Sequence, residues 1–157
     1  MQKITTFLTF NDRAEEAVKL YTSLFPRSRI VKTTRYGDAG PGQKGSVMTI
    51  AFELEGQPFT ALNGGPSFSF SQGISLSVNC ETQAELDLLW DGLSADGKQI
   101  QCGWLTDKFG VSWQIVPAKM GELIGDPDPV KAKRTMQAML KMVKLDMAAL
   151  QRAHDGI

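Results

Sequence analysis

One order of elements is written twice in this 157-residue chain: strand, helix, then three strands. In the first pass Lys3 to Phe10 has the Thr, Phe and Ile content of a strand, which Asn11-Asp12 ends. Asp12 and Glu15 have the spacing of a capping box, and Ala14, Ala17, Val18, Tyr21 and Leu24 then recur at helical intervals as far as Pro26. Arg29 to Tyr36 reads as a second strand. Gly37 to Gly45 is too rich in Gly and Pro for regular structure and reads as a mobile hairpin loop. Val47 to Leu54 puts Met48, Ile50, Phe52 and Leu54 on one face, and Glu55-Gly56-Gln57 turns into a strand from Phe59 to Asn63.

The second pass opens with Ile74, Leu76 and Val78 alternating with Ser75, Ser77 and Asn79. Thr82-Gln-Ala-Glu85 is a capping box for a helix through Leu86, Leu89, Trp90 and Leu93, closed by Asp96-Gly97. Short strands near Gln99 to Cys102 and Trp104 to Thr106 precede a turn at Asp107 to Gly110. Val111 to Val116 is then the closing strand of a curved sheet, with Trp113 and Ile115 packed under a helix and Gln114 pointing into a concave pocket; Pro117 stops it. The expectation is an α+β fold: two βαβββ modules forming a cupped mixed sheet, plus a C-terminal helix.

The whole of 1–157 reads as a single domain: module one over 3–65, a Ser-rich linker over 66–72 that opens on Pro66, module two over 73–117 and a helical tail over 118–157. In the tail Asp128 can cap and Pro129 can start one amphipathic helix, whose stripe is Met136, Met139, Leu140, Val143, Met147 and Leu150. That stripe can cover the domain's own sheet or a partner subunit. Lys131, Lys133, Arg134, Lys141 and Lys144 solvate the other face.

Seventeen basic and seventeen acidic residues cancel, so no global field draws the chain to nucleic acid or an anionic membrane. No segment is long and apolar enough to span a bilayer, and Met1 to Phe7 enters strand-like sequence without a signal-peptide pattern, so a cytoplasmic address is expected. Cys80 and Cys102 have no metal spacing and suit reduced thiols; Asn79 and Glu81 beside Cys80 argue against a reactive thiolate. The one histidine, His154, reads as a solvent-exposed helix-end residue, too remote to complete a Ser, His and Asp set. Asp107 reads as a turn former and Glu53 as an isolated, solvent-facing carboxylate.

If the alternation holds, Asn63, Ser75, Ser77, Ser112 and Gln114 put neutral hydrogen-bonding groups on the concave side while Ile74, Leu76, Trp113 and Ile115 face the helices. Trp104 is a pocket wall or a packed hairpin residue. Such a face suits an uncharged or weakly polar organic ligand, or it is simply a hydrated surface.

Phe10 to Pro26, Ala61-Leu-Asn-Gly-Gly-Pro66, Ser75 to Cys80 and Cys102 to Pro117 resemble the PhnB-like branch, often labelled demethylubiquinone 3-methyltransferase, of the vicinal oxygen chelate or glyoxalase/bleomycin-resistance superfamily. Matching segments run from the first strand to the tail helix. The resemblance implies half-cup sheets, a homodimer with pockets at or near the subunit contact, and small-molecule chemistry. In superfamily enzymes a divalent metal sits between two halves, and its ligand positions fall here on Thr6, on Ala61 or Asn63, on Gly73 or Ser75, and on Gln114. None of these is ionisable, so no metal or other cofactor is expected. A Rossmann-type methyl-donor site needs a Gly-rich turn between strand and helix, and Gly37 to Gly45 lies between two strands instead. The expected ligand-binding set is therefore Thr6, Asn63, Ser75, Ser77, Trp104, Ser112 and Gln114, on a metal-free small-molecule binder. An enzyme of the same superfamily with an atypical site (lyase, isomerase, dioxygenase or methyltransferase) and an interaction protein using the tail helix are the alternatives.

Overall fold

A computed structural model describes residues 2–157, and two compact units divide them: one ends at Phe70, the other is Ser71–Ile157. The first contains strand β1 (Thr6–Phe10), helix α1 (Ala14–Leu24) and strands β2 (Ser28–Arg35), β3 (Val47–Leu54) and β4 (Gln57–Asn63). Its sheet order is β1-β4-β3-β2, with β1 parallel to β4 and the other pairs antiparallel. The helix brings Ala14, Ala17, Val18 and Tyr21 against the sheet. Its two alanines let it sit close over Leu8, Phe10, Ile50, Phe52, Phe59 and Ala61, all buried, and the Phe52 and Phe59 rings stack at 5.4 Å.

This helix starts differently from the sequence expectation. Arg13, not Asp12, stands at its N-cap and offers no side-chain cap. The acceptor comes from β4: Asn63 Oδ1 takes the Ala14 N–H at 2.9 Å, and its Nδ2 donates to the Val47 carbonyl at 3.1 Å. The expected linker also folds in part onto this unit, where Phe70 meets Phe10 edge-on at 5.2 Å.

The second unit repeats the order with β5 (Leu76–Cys80), α2 (Gln83–Ser94), β6 (Lys98–Gln99), a 3₁₀ turn (Gln101–Gly103), β7 (Trp104–Thr106) and β8 (Ser112–Pro117). Its sheet order, β5-β8-β7-β6, is the same permutation, so β8 is an internal strand, parallel to β5 and antiparallel to β7. The Thr82 side chain accepts the Glu85 N–H, and the Glu85 carboxylate accepts the Glu81 N–H, a reciprocal cap for α2. Leu86, Leu89, Trp90 and Leu93 pack against Leu105, Trp113 and Ile115 in the core. Ile74, expected under the helix, precedes β5 and is 77% exposed.

The tail is three helices where one was expected: α3 (Met120–Ile124), α4 (Pro129–Met139) and α5 (Met147–Asp155). Asp128 caps α4 as read, but Asp146 caps a new helix by accepting the Ala149 N–H. Between them the backbone is claimed by distant groups. Met142 and Val143 carbonyls accept the Cys102 and Gly103 N–H groups at 2.8 Å each. Gln83 donates to the Leu145 carbonyl and accepts the Met147 N–H. Leu145, off the expected stripe, is buried, whereas Leu140 and Val143, on it, are exposed.

Candidate functional site

Alternation along β5 and β8 sorts the second sheet into two faces. Val111, Trp113, Ile115 and Pro117 are buried on the α2 side, as is Cys80. Ser75, Ser77, Ser112 and Gln114 point the other way, joined by Trp104, the register partner of Gln114, and Thr106, the partner of Ser112. Five of the seven expected residues thus share one face of one sheet. Gln114 Nε2 donates to Ser75 Oγ at 2.9 Å, tying β8 to the start of β5.

Two hydroxyls on this face stand out. Ser112 Oγ and Thr106 Oγ1 are buried and bond neither each other nor any other group. Ser112 is 3% exposed. A buried hydroxyl left unsatisfied costs about 1–3 kcal/mol, and here two of them stand opposite each other on neighbouring strands.

The hairpin that carries both hydroxyls is held by Asp107, which is itself buried. Its Oδ1 accepts the Phe109 N–H at 2.9 Å and the Val111 N–H at 3.0 Å; its Oδ2 accepts the Trp113 indole N–H at 3.0 Å. The turn-forming role read from sequence is therefore joined by a link to the core tryptophan that local sequence could not display.

Thr6 and Asn63 do not join this face. Both lie in the first unit, and both share the helix-side parity of Leu8 and Phe10 or of Phe59 and Ala61. The Asn63 amide is spent on Ala14 and Val47, and its backbone carbonyl accepts the Tyr36 hydroxyl at 2.6 Å. Asn63 does border a cleft of about 320 Å³ with Asp12, Glu15, Tyr36 and Gly42. There a Cβ on Gly42 would stand 2.1 Å from the Tyr36 ring, so the glycine closes over that ring.

Two further expectations change, for His154 and Glu53, and the reading of Cys80 as an unreactive thiol holds. His154 is buried, not solvent-exposed: its Nε2 lies 2.8 Å from Asp126 Oδ2 and its Nδ1 3.0 Å from Asp155 Oδ1. Hydrogen bonding to Asp155, then to Asp126, raises its pKa above the ordinary 6.5. Glu53 is not isolated, because Arg29 pairs with it across β2 and β3 at 2.9 Å and holds its carboxyl below the ordinary range. Burial, and then Glu85 and Glu81, push the Cys80 thiol up to about 12, which keeps it protonated and unreactive.

The fold class raises the question of a divalent metal, and the donors do not fit one. Ala61 has no ligating atom, Asn63 and Thr6 face the helix side, and Ser75 and Gln114 offer only neutral oxygens, Ser75 Oγ already accepting from Gln114 Nε2. No group of three or more His, Cys, Asp or Glu side chains is disposed for a metal among the described residues.

Paired βαβββ modules of this topology define the glyoxalase/bleomycin-resistance, or vicinal oxygen chelate, class. The profile of the family described as 3-demethylubiquinone-9 3-methyltransferase matches residues 2–116. The chain belongs to that PhnB-like family. A PhnB protein from Bacillus cereus is similar at 43% identity and a TM-score of 0.68, over 74% of this chain and 98% of that one. A Staphylococcus aureus protein shares 40% identity over 74% of this chain and 95% of its own, with a TM-score of 0.35. The Pseudomonas aeruginosa protein PA1353 shares the fold at 23% identity and a TM-score of 0.61, covering 74% and 97%. No functionally curated protein matches the chain. The family match ends at residue 116, before α3, and takes in nearly all of the segments from Phe10 to Pro117 that carry the resemblance.

Proposed function

We propose that this chain is a small-molecule binding protein that holds its ligand without a metal, on the face of the second sheet formed by Ser75, Ser77, Trp104, Thr106, Ser112 and Gln114, as a cytoplasmic homodimer. The observation that carries the reading is the pair of buried, unpartnered hydroxyls of Thr106 and Ser112. Around them stand an amide, further hydroxyls and one tryptophan, a mixture that orients an organic molecule through a few polar contacts. No helix among the described residues is long and apolar enough to cross a membrane, which is in keeping with that setting.

Mass spectrometry of the gently purified protein is the test. A small molecule that co-purifies with the full chain and is lost from Ser112→Ala and Gln114→Ala supports the reading. Stoichiometric Zn²⁺ or Mn²⁺ uptake abolished by Gln114→Ala would overturn it in favour of a superfamily enzyme. Tight S-adenosylmethionine binding would do so in favour of the methyl transfer that the family name suggests. Against the latter stand the strand-to-helix connections, Asn11-Asp12-Arg13 and Glu81-Thr82, which contain no glycine. Light scattering on the full chain checks the dimer; a monomer removes that part of the proposal.

A further inference from the structure

The row of residues across the second sheet continues beyond the two hydroxyls. Thr106 pairs with Ser112 on one side and with Lys98 on the other, so all three side chains belong to one face. The neighbour of Lys98 fixes the sense of that face independently: Gln99 Nε2 donates to Ser94 Oγ on α2, so Gln99 lies on the helix side and Lys98 opposite. Lys98 is exposed and pairs with no carboxylate among the described residues. Every other side chain that the strands place on this face, namely Ser77, Asn79, Trp104, Thr106, Ser112, Gln114 and Val116, is uncharged. The face therefore has a polarity: a cation at the edge strand, then two hydroxyls without acceptors, then the Gln114 amide and Trp104 one row along.

Resting on the reading of this face as a binding surface, we infer that its ligand is an organic anion whose acidic group lies against Lys98 and accepts from the Thr106 and Ser112 hydroxyls, with its apolar body along Trp104. Ser112 supplies the decisive element. It is a donor almost completely removed from water, whose hydrogen needs an acceptor that no side chain provides. An oxyanion satisfies both hydroxyls and neutralises Lys98, whereas a neutral amide satisfies at most the hydroxyls and an amine meets repulsion. The uncharged or weakly polar ligand expected from the sequence takes no account of Lys98 in this row.

Benzoate, benzamide and benzylamine form a size-matched series of probes, titrated at millimolar concentration into the full chain while the Trp104 indole N–H resonance is followed. Benzoate should shift that resonance and bind roughly threefold to fivefold more tightly than benzamide, an advantage of the size an exposed ion pair provides. Added salt should erode the difference. Lys98→Met, which keeps the stem, should bring benzoate down to the benzamide level; Lys98→Arg should restore the preference. Ser112→Ala should weaken both. Equal or tighter binding of benzamide or benzylamine overturns the anion assignment and leaves the binding-surface reading intact. No shift with any of the three overturns both. Benzoate binding unaffected by Lys98→Met places the anion elsewhere and refutes the inference.

Discussion

Replacing Asp107 by alanine should cost more stability than any other single change to a polar side chain in the second unit. Three donors lose their acceptor at once: the Phe109 and Val111 amides and the Trp113 indole N–H, at 2.9, 3.0 and 3.0 Å. Val111 and Trp113 are 4% and 2% exposed, so water cannot replace the carboxylate for two of the three. Each buried orphan costs about 1–3 kcal/mol, which puts the expected loss near 4 kcal/mol. That is a large fraction of the roughly 5–15 kcal/mol by which a domain of this kind is stable. Asp107→Asn keeps the shape and one oxygen, so it can serve the two amides or the indole but not all three; about 2 kcal/mol is expected. Urea denaturation followed by far-ultraviolet circular dichroism measures both without relying on tryptophan fluorescence. A cycle with Trp113→Phe should give a coupling of about 1–2 kcal/mol. A loss for Asp107→Ala under about 1 kcal/mol, or no coupling to Trp113, would refute the view that this carboxylate ties the hairpin to the core.

Asn63→Ala should destabilise the first unit by about 1–2 kcal/mol through loss of the α1 cap, read as a lower thermal midpoint. Asn63→Asp, which keeps the acceptor and places negative charge at a helix N-terminus, should cost less; equal losses would sink the capping role. Gly103→Ala combines a positive φ of 82° with a Cβ 2.8 Å from the Ile115 carbonyl oxygen, so it should destabilise by about 2 kcal/mol or more and loosen the contact with the Leu145 loop. Proteolysis at 140–146 no faster than in wild type would contradict that. The pH dependence follows from the tail. His154 gains pKa on folding, so its contribution is full below about 6.5 and is lost as pH climbs through the raised value. Asp155 and Asp126 lose pKa, the former chiefly through His154 and the latter chiefly through the Asp128 backbone N–H and then His154. Their contribution is present above 3.8 and is lost as pH falls through the depressed values. Denaturation midpoints of His154→Gln should lack the alkaline decline of the parent; parallel curves would count against it.

The parts of this molecule legible in the sequence are those whose determinants lie within one turn or one pleat. Thr82 and Glu85 announce the start of α2 because both halves of the cap are local. Period-two alternation placed Ser75, Ser77, Ser112 and Gln114 on one face, and the same alternation through Trp104 and Leu105 reaches Thr106, and by pairing Lys98. The true cap of α1 was illegible because Asn63 stands 49 residues away from Ala14. Thr6, expected on the binding face from the family resemblance, and Asn63, expected there from alternation as well, instead share the helix-side parity of Leu8 and Phe59. The tail kept a helical period straight through its break, and only Asp146 signalled the new start. What interrupts it, Gln83 and the Cys102 and Gly103 amides, comes from far upstream.

Internal placement of β8 has a consequence for how the protein is made. Leu76 waits for Trp113 and Cys80 for Pro117, so β5 emerges from the ribosome with no parallel neighbour until the last strand of its sheet has been synthesised. During that interval its hydrogen-bonding edge is bare, and a nascent chain arrested anywhere between Cys80 and Ser112 would expose a sticky ribbon to other nascent chains. Translation speed across this stretch should therefore govern the yield of soluble product more strongly than equivalent changes in the codons of the tail.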